Sequence, residues 1–239
     1  MRFLKNIERS TPYRRLKWRI KGSLGLEPLV TVEKNNNLEI VGDWAFLKEW
    51  INEDSVVYSF GVGDDIAFDL AISQATDCQV FCFDPTIDGS IFEHEGSNEQ
   101  RINFYPWAVA GIDGELALYD RLNSSGVSSG MFTLARASAD GESVIKAPAF
   151  TVKTIMQKLG HTRVDLIKLD VEGAEFEALG SMLDNQIRPR QLLIEFHHRF
   201  KDFSVIQVKE SLKRLRKLGY HVAYVTPSGR EFTFLLYPD

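Results

Sequence analysis

Strand-like apolar runs that alternate with helical patterns are the feature that most limits what this chain can become. The runs are "VVYSF" at 56–60, "QVFCF" at 79–83, "NFYPWAVA" at 103–110, "ELALY" at 115–119, "DLIKL" at 165–169, "QLLIEF" at 191–196, "HVAYV" at 221–225 and "FTFLLY" at 232–237. Several are apolar on both faces, as strands covered by helices on each side must be. Helical periodicity separates many of them, at 65–75, 151–159, 173–184 and 204–218. Strands alternating with helices predict a doubly wound α/β fold around a mostly parallel sheet. Only the short turn "TPSGRE" lies between the last two runs, so the final strand is predicted to pair antiparallel.

With 239 residues, 44% of them apolar, the chain has enough material for one substantial core. No internal repeat and no long Pro/Gly/Ser linker divides it. The expected organisation is a basic N-terminal segment, residues 1–40, followed by one domain, 41–239. Within that domain "DWAFLKEWI" at 43–51 spaces Trp44, Phe46, Leu47 and Ile51 as one helical face. The net charge of −5 opposes a nucleic-acid partner, which would call for a basic face. Basic residues gather instead in "MRFLKNIERSTPYRRLKWRIKG". That segment reads as a solvated basic helix, with weak peripheral contact to anionic lipid, or to a phosphorylated substrate, as the alternatives. It lacks the apolar run of a secretory signal, and no stretch reaches the roughly 18 apolar residues of a membrane span. Cys78 and Cys82, if both extended, would lie about 13 Å apart, too far for a disulfide. Reduced structural cysteines and a cytoplasmic location are the expectation.

The stretch "SVVYSFGVGDDIAFDLAI", residues 55–72, ends a strand in Gly61-Val62-Gly63 and then starts a helix. Turns of this kind bring a ligand to backbone N–H groups. A dinucleotide fingerprint would place its third glycine where Ile66 stands, and no Gly-Lys-Ser/Thr of a phosphate loop is present. Asp64 and Asp65 would repel pyrophosphate; they suit a helix start or a cationic ligand. S-adenosylmethionine, with its ammonium, sulfonium and ribose diol and no phosphate, fits that acid. In "VFCFDPT" Asp84 ends the second strand, where an acidic residue accepts ribose hydroxyls.

The segment "VDLIKLDVEGAEFEAL", 164–179, sets Lys168 and Asp170 on one side of a strand, with Glu172 continuing the row and Glu175 in the first turn of the next helix. Together "VVYSFGVGDDIAFDLAI", "FCFDPT", "FYPWAVAGIDG", "VDLIKLDVEGAEFEAL" and "LLIEFHH" resemble the FkbM-type family of class I S-adenosylmethionine-dependent methyltransferases, over about residues 40 to 200. The resemblance implies a Rossmann-like, seven-stranded sheet with its last strand antiparallel, and methylation of hydroxyls on sugars or polyketides. It implies that Phe60, Gly61 and Gly63 pass beneath the cofactor and that Asp84 binds its ribose, with Pro85 against the adenine. Trp107 and Ala108 flank the same ring, and Asp170 faces the methyl-transfer centre. The chain departs from the family where its first motif reads Ser59-Phe60-Gly61-Val62-Gly63-Asp64-Asp65, without the usual acidic residue on the strand. Asp65 or Asp170 is then the expected partner of the methionine ammonium.

For the chemistry, Glu195 and His197 share a face at the end of the fifth strand. His197 is the expected general base, oriented by Glu195, while Lys168 holds Asp170 ionised or touches the substrate. A metal variant joins Asp170, Glu195 and His197 around a divalent ion such as Mg2+. The polar segment "RLNSSGVSSGMFTLARASADGESVIKAP", 121–148, is the expected acceptor loop. The leading reading is an O-methyltransferase for a glycan or other small-molecule acceptor. A degenerate module of the same fold that binds cofactor or glycan without turnover stands beside it, and an NAD-linked oxidoreductase is opposed by Ile66 and the paired aspartates.

Overall fold

The computed structural model describes residues 10–33, 35–94, 101–122, 128–133 and 144–238. Its centre is a seven-stranded sheet built from β3 (Val56–Phe60), β4 (Gln79–Phe83), β5 (Ile102–Tyr105), β10 (Leu166–Leu169), β11 (Gln191–Glu195), β12 (Tyr220–Val225) and β13 (Glu231–Leu236). The order across it is β12-β13-β11-β10-β3-β4-β5. From β11 to β5 every pairing is parallel. β13 runs antiparallel to both β11 and β12, as the short final turn demanded. The chain steps outward from β3 to β4 and β5, then returns to the other side of β3 for β10 and β11. That reversal opens a crevice at the carboxyl ends of β3, β4 and β10, where open α/β sheets receive ligands.

Alternate residues of each strand enter two separate apolar clusters. Tyr58, Phe60, Phe83, Ile167 and Ile194 join one cluster with residues of α4 (Val152–Leu159), α5 (Glu175–Asp184) and α6 (Val205–Lys217). Val57, Val80, Cys82, Leu166 and Leu193 join the other, with Phe68 and Ile72 of α2 (Ala67–Thr76). Both cysteines are buried and unpaired. Local chemistry fixes the helix ends: Thr151 accepts the Thr154 N–H at the start of α4, which stops at a left-handed Gly160, and Gln207 accepts the Ser204 N–H at the start of α6.

Three sequence expectations change. Residues 43–51 form no helix: β1 (Leu38–Val41) and β2 (Trp44–Leu47) make a hairpin, and Lys48–Trp50 is a 3-10 turn. Ala45, Phe46 and Leu47 are all buried, which leaves no polar helix face. The backbone of Leu47 is instead held by the buried Gln191 side chain, at 2.7 and 2.9 Å, and the Ala45 carbonyl accepts from Thr233 at 2.7 Å. The run 103–110 breaks at Pro106 into β5 and β6 (Ala108–Val109), which belong to different sheets. Part of 121–148 is strand rather than loop. β7 (Gly114–Leu122), β8 (Ser128–Thr133) and β9 (Val144–Phe150) join β6 in a four-stranded sheet ordered β6-β9-β7-β8. Residues 123–127 and 134–143 of that segment lie outside the described residues.

The basic helix exists as α1 (Thr11–Ser23), preceded by residues 1–9 outside the described set; α3 (Ile91–His94) is a single turn after β4. A buried ionic knot anchors the segment behind α1. Glu27 accepts from His198 Nε2 at 2.7 Å and Arg199 Nε at 2.8 Å, with Lys21 at 3.9 Å. Burial pushes the Glu27 carboxyl up, but the hydrogen bonds from His198 and Arg199 carry it below its ordinary value. Glu27→Ala, which strands these partners, is expected to cost about 3 kcal/mol in thermal unfolding and to raise hydrogen exchange across residues 10–33. Because the folded value is depressed, the difference from wild type should persist above the ordinary carboxylate range and vanish as pH falls through the depressed one.

Candidate active site

At the carboxyl end of β3 the chain turns through Gly61 (φ 74°) and Gly63 (φ 61°), and the two glycines serve different ends. A Cβ on Gly61 would sit 1.6 Å from the Asp170 carbonyl oxygen, so Gly61 lets β3 and β10 come together at their ends. Gly63 faces open space, and its N–H donates to Asp84 Oδ2 at 2.8 Å. Asp84 Oδ1 accepts from the Thr86 N–H at 2.8 Å and the Thr86 hydroxyl at 2.6 Å. Three of the roughly four lone-pair positions of this buried carboxylate are thus used inside the protein. Asp84 clamps the glycine turn to β4 and keeps about one lone-pair position for a donor from outside the protein.

A cavity of about 450 Å³ opens above this turn. Phe60, Gly61, Gly63, Asp65, Asp84, Pro85, Trp107, Ala108 and Asp170, all named from sequence as cofactor-binding, line it. Leu116 and Leu118 of β7 and Phe132 of β8 form a further apolar wall that sequence reasoning missed. Five carboxylates, from Asp64, Asp65, Asp84, Asp170 and Glu172, face the cavity, and no Lys, Arg or His is among its described lining residues. Asp65 also accepts the Ala67 N–H at 3.0 Å, so it caps the turn into α2.

A second cavity of about 290 Å³ adjoins the first and shares Val62, Asp65 and Asp170 with it. Asp43 and Trp44 of the β1–β2 hairpin, Lys168, Glu195, and Arg230 and Glu231 at the start of β13 complete its polar lining. Lys168, nearly buried, donates to the Gly61 carbonyl at 3.3 Å and lies 4.9 Å from the Trp44 ring centre. It braces the glycine turn. Arg230 bridges Glu195 Oε1 at 2.8 Å and Glu231 Oε1 at 3.2 Å.

His197 lies at the centre of an acid cluster. Its Nε2 is 3.6 Å from Glu172, 3.7 Å from Glu195 and 3.8 Å from Asp170, while Nδ1 is 3.6 Å from Glu175. Glu175 is wholly buried and accepts the His197 N–H at 2.7 Å and the Gly173 N–H at 2.9 Å. The 3.6 Å approach of its carboxylate to Nδ1 is ionic, since Nδ1 has no hydrogen-bond partner. Burial would lower the imidazole pKa, but Glu175, then Glu172 and Glu195, push it up to about 10. An imidazole so surrounded by acid favours its protonated form at neutral pH, which counts against its expected role as general base. Glu195 moves the other way from an ordinary acid: burial and then Asp170 push its carboxyl up to about 8, against the pull of His197 and Arg230.

Asp170, Glu195 and His197 each offer a ligand atom within 4.8 Å of the others, so the trio expected for a metal does converge. Two carboxylates and an imidazole suit a divalent ion by number and type. An ion entering there displaces the proton that already supplies the positive charge. Glu172, in a left-handed backbone conformation (φ 47°), is held by the Thr133 hydroxyl on its carbonyl at 2.7 Å, a strained turn beside the site. Glu175, Glu172, Arg230 and Glu231 were not chosen as site residues from sequence. On the sequence Glu172 and Glu175 stand only as members of the charged row after Lys168 and Asp170, and for Arg230 and Glu231 the available signal is "GREF", a charged pair entering an otherwise apolar strand. His198 faces away from the cluster, toward Glu27.

The family profile described as "Methyltransferase FkbM domain" matches residues 10–222. No curated protein sequence matches the chain. Among solved structures, the fibrillarin pre-rRNA processing protein of Methanococcus jannaschii is similar at 11% identity and a TM-score of 0.46, over 84% of this chain and 71% of that one. Aeropyrum pernix fibrillarin with natively bound S-adenosyl-L-methionine gives 12% and 0.39, over 78% and 66%. A methyltransferase from Pyrococcus furiosus gives 14% and 0.38, over 94% and 97%.

Two outcomes are expected from this geometry. Gly61→Ala combines a left-handed backbone with a clash against main chain, and denaturant unfolding should register a loss of about 3–5 kcal/mol. Gly63→Ala, with room around it, should lose only about 1 kcal/mol. Histidine NMR titration of the metal-free protein should find His197 protonated until about pH 10, and His161, which burial holds below the ordinary value, neutral well before it. Since the folded pKa of His197 is raised, its stabilising contribution is full below the unfolded value and is lost as pH rises through about 10.

Proposed function

Because the chain belongs to the FkbM methyltransferase family, we propose that it moves the methyl group of S-adenosylmethionine onto a hydroxyl of a sugar, glycan or related small molecule. The observation that carries this reading is the lining of the larger cavity: five carboxylates, apolar walls and no cationic side chain among the described residues. Such a surface attracts a ligand bearing ammonium and sulfonium groups and repels pyrophosphate. Its volume lies in the range of small-molecule sites. In this reading Pro85, Trp107, Ala108, Leu116 and Phe132 receive the adenine, Asp84 one ribose hydroxyl, and Asp65 and Asp170 the cationic end.

When bound, the cofactor supplies a methyl carbon already activated by its sulfonium, so the protein's task is alignment and proton removal. The acceptor hydroxyl enters from the smaller cavity, past the shared wall at Val62 and Asp170. Glu195 is the proton acceptor there. Its raised pKa makes its ionised form a stronger base than an ordinary carboxylate. His197, as imidazolium, holds Glu195, Asp170 and Glu172 in one place and takes no proton. A divalent ion held by Asp170, Glu195 and His197 would instead acidify the hydroxyl directly.

The test is methyl transfer from labelled S-adenosylmethionine to a panel of nucleotide-sugars, oligosaccharides and small alcohols. Glu195→Gln is expected to lower kcat by about 100-fold or more with cofactor affinity unchanged. Activity that survives EDTA assigns the positive charge to His197; activity lost and restored by a divalent ion assigns it to the metal. Cofactor binding with no acceptor turned over would favour a binding module. Tight binding of pyrophosphate compounds in place of S-adenosylmethionine would overturn the whole reading.

A further inference from the structure

We propose that α1 and the strap behind it form a docking surface for anionic lipid bilayers. The helix has an inner and an outer face. Trp18 turns inward, packs against the main core cluster and closes over Gly229, where a Cβ would meet the indole at 2.2 Å. On the outer side Leu16 and Ile20 stand 57% and 52% exposed, and Leu24, one turn on, 68%. Leu26 follows on the strap, so four of the eleven exposed large apolar residues among the described ones fall in 11 positions, while Leu29 folds back over Gly22 on the Trp18 side. That clustering makes a patch, where single exposed apolar residues would need no explanation.

Charge flanks the stripe. At 100° per residue, Arg15 and Arg19 border Leu16 and Ile20 on one side and Lys17 on the other, and all three are exposed. With Arg14 and Lys21 the helix carries five basic residues and no acid, on a chain whose net charge is −5. An outward apolar row between basic borders matches a helix lying in the headgroup plane of an anionic membrane. A second copy of the chain fits worse, because two such helices face to face would oppose five positive charges with five. A nucleic acid would use the charge but leave the central apolar row uncovered. The inner face touches Gly229 in the turn that leads into Arg230 and Glu231 of the smaller cavity. The docking itself does not depend on methyl transfer.

The full chain is tested by co-sedimentation with vesicles of phosphatidylcholine alone and with about 30% phosphatidylglycerol, without cofactor or acceptor. Binding is expected only to the anionic vesicles and should weaken as salt shortens the screening length. At about one decade per 1.4 kcal/mol, and roughly 1 kcal/mol for each basic residue near the surface, Arg15→Glu, Lys17→Glu and Arg19→Glu together should weaken partitioning at least about 100-fold. Leu16→Gln with Ile20→Gln should weaken it at least tenfold, on the order of the apolar area withdrawn. These side chains are exposed, so circular dichroism and melting temperature should match wild type in both variants. Failure to bind anionic vesicles at low salt, equal binding by either variant, or a wild-type dimer abolished by the leucine-face variant would overturn the proposal.

Discussion

His197 sits at the centre of an acid rim, and its protonated form ties the carboxylates of that rim to one another. Four carboxylates from three elements approach the imidazole within 4 Å: Asp170 and Glu172 from the loop after β10, Glu175 from the first turn of α5, and Glu195 from the end of β11. A unit charge pair at about 4 Å is worth on the order of 4 kcal/mol at an effective dielectric near 20. The imidazolium offsets repulsion among these acids, and burial and Asp170 push the Glu195 carboxyl up to about 8, so that it takes up a proton of its own where the offset falls short. The imidazolium converts that repulsion into a tie between sheet and helix. Arg230 extends the tie to β13 through Glu195. Glu231 is anchored in turn by the Ser228 hydroxyl at 2.5 Å and by Thr226. The antiparallel end of the sheet is thereby connected to the site electrostatically as well as through backbone pairing.

The glycine turn depends on the same junction from the other side. Gly61 accommodates the Asp170 carbonyl, so the position of Asp170 follows from the absence of a side chain on the residue just after β3. Lys168 holds the Gly61 carbonyl, and Asp84 holds the Gly63 N–H. Each of these charged groups looks, on the sequence, like a ligand contact. In the fold Lys168 and Asp84 first fix the turn, leaving only part of their hydrogen-bonding capacity for a ligand. Preorganisation of this kind lets a site bind without ordering its own loops at the moment of capture.

Most of the sheet was legible because buried parallel strands announce themselves as apolar runs between periodic helices. The final hairpin was legible from a short polar turn. The N-terminal β1–β2 hairpin was not: the spacing of Trp44, Phe46, Leu47 and Ile51 suits a helical face, and the burial of Ala45 beside Phe46 and Leu47 that rules it out shows only in the fold. What decided it was Gln191, 144 positions away, which takes both hydrogen-bonding groups of Leu47. The lining of the larger cavity was legible in its polar parts, since glycines and acids at strand ends have few other uses. Its apolar wall of Leu116, Leu118 and Phe132 was not, because apolar residues on a strand look alike whether they cover a core or a cavity. The charge of His197 was hidden for a related reason. It depends on Glu172 and Glu175, which look like helix-start acids until the loop after β10 folds beneath β11.

The acid of the larger cavity bears on turnover as well as on recognition, if the cofactor is the one proposed. Methyl transfer converts a sulfonium into a neutral thioether and so removes one positive charge from the ligand while the five carboxylates stay in place. An acid lining thus holds the entering form more strongly than the departing one. A net difference of about 1–3 kcal/mol, the scale of one partly screened charge among several acids, corresponds to roughly 5- to 150-fold in affinity. The adenine and ribose contacts are identical in both forms and cannot supply that discrimination. The carboxylates can, so under the proposed function Asp64 and Asp65 of the first motif, with Asp84, Asp170 and Glu172, would bias the pocket toward the charged cofactor and against its spent product.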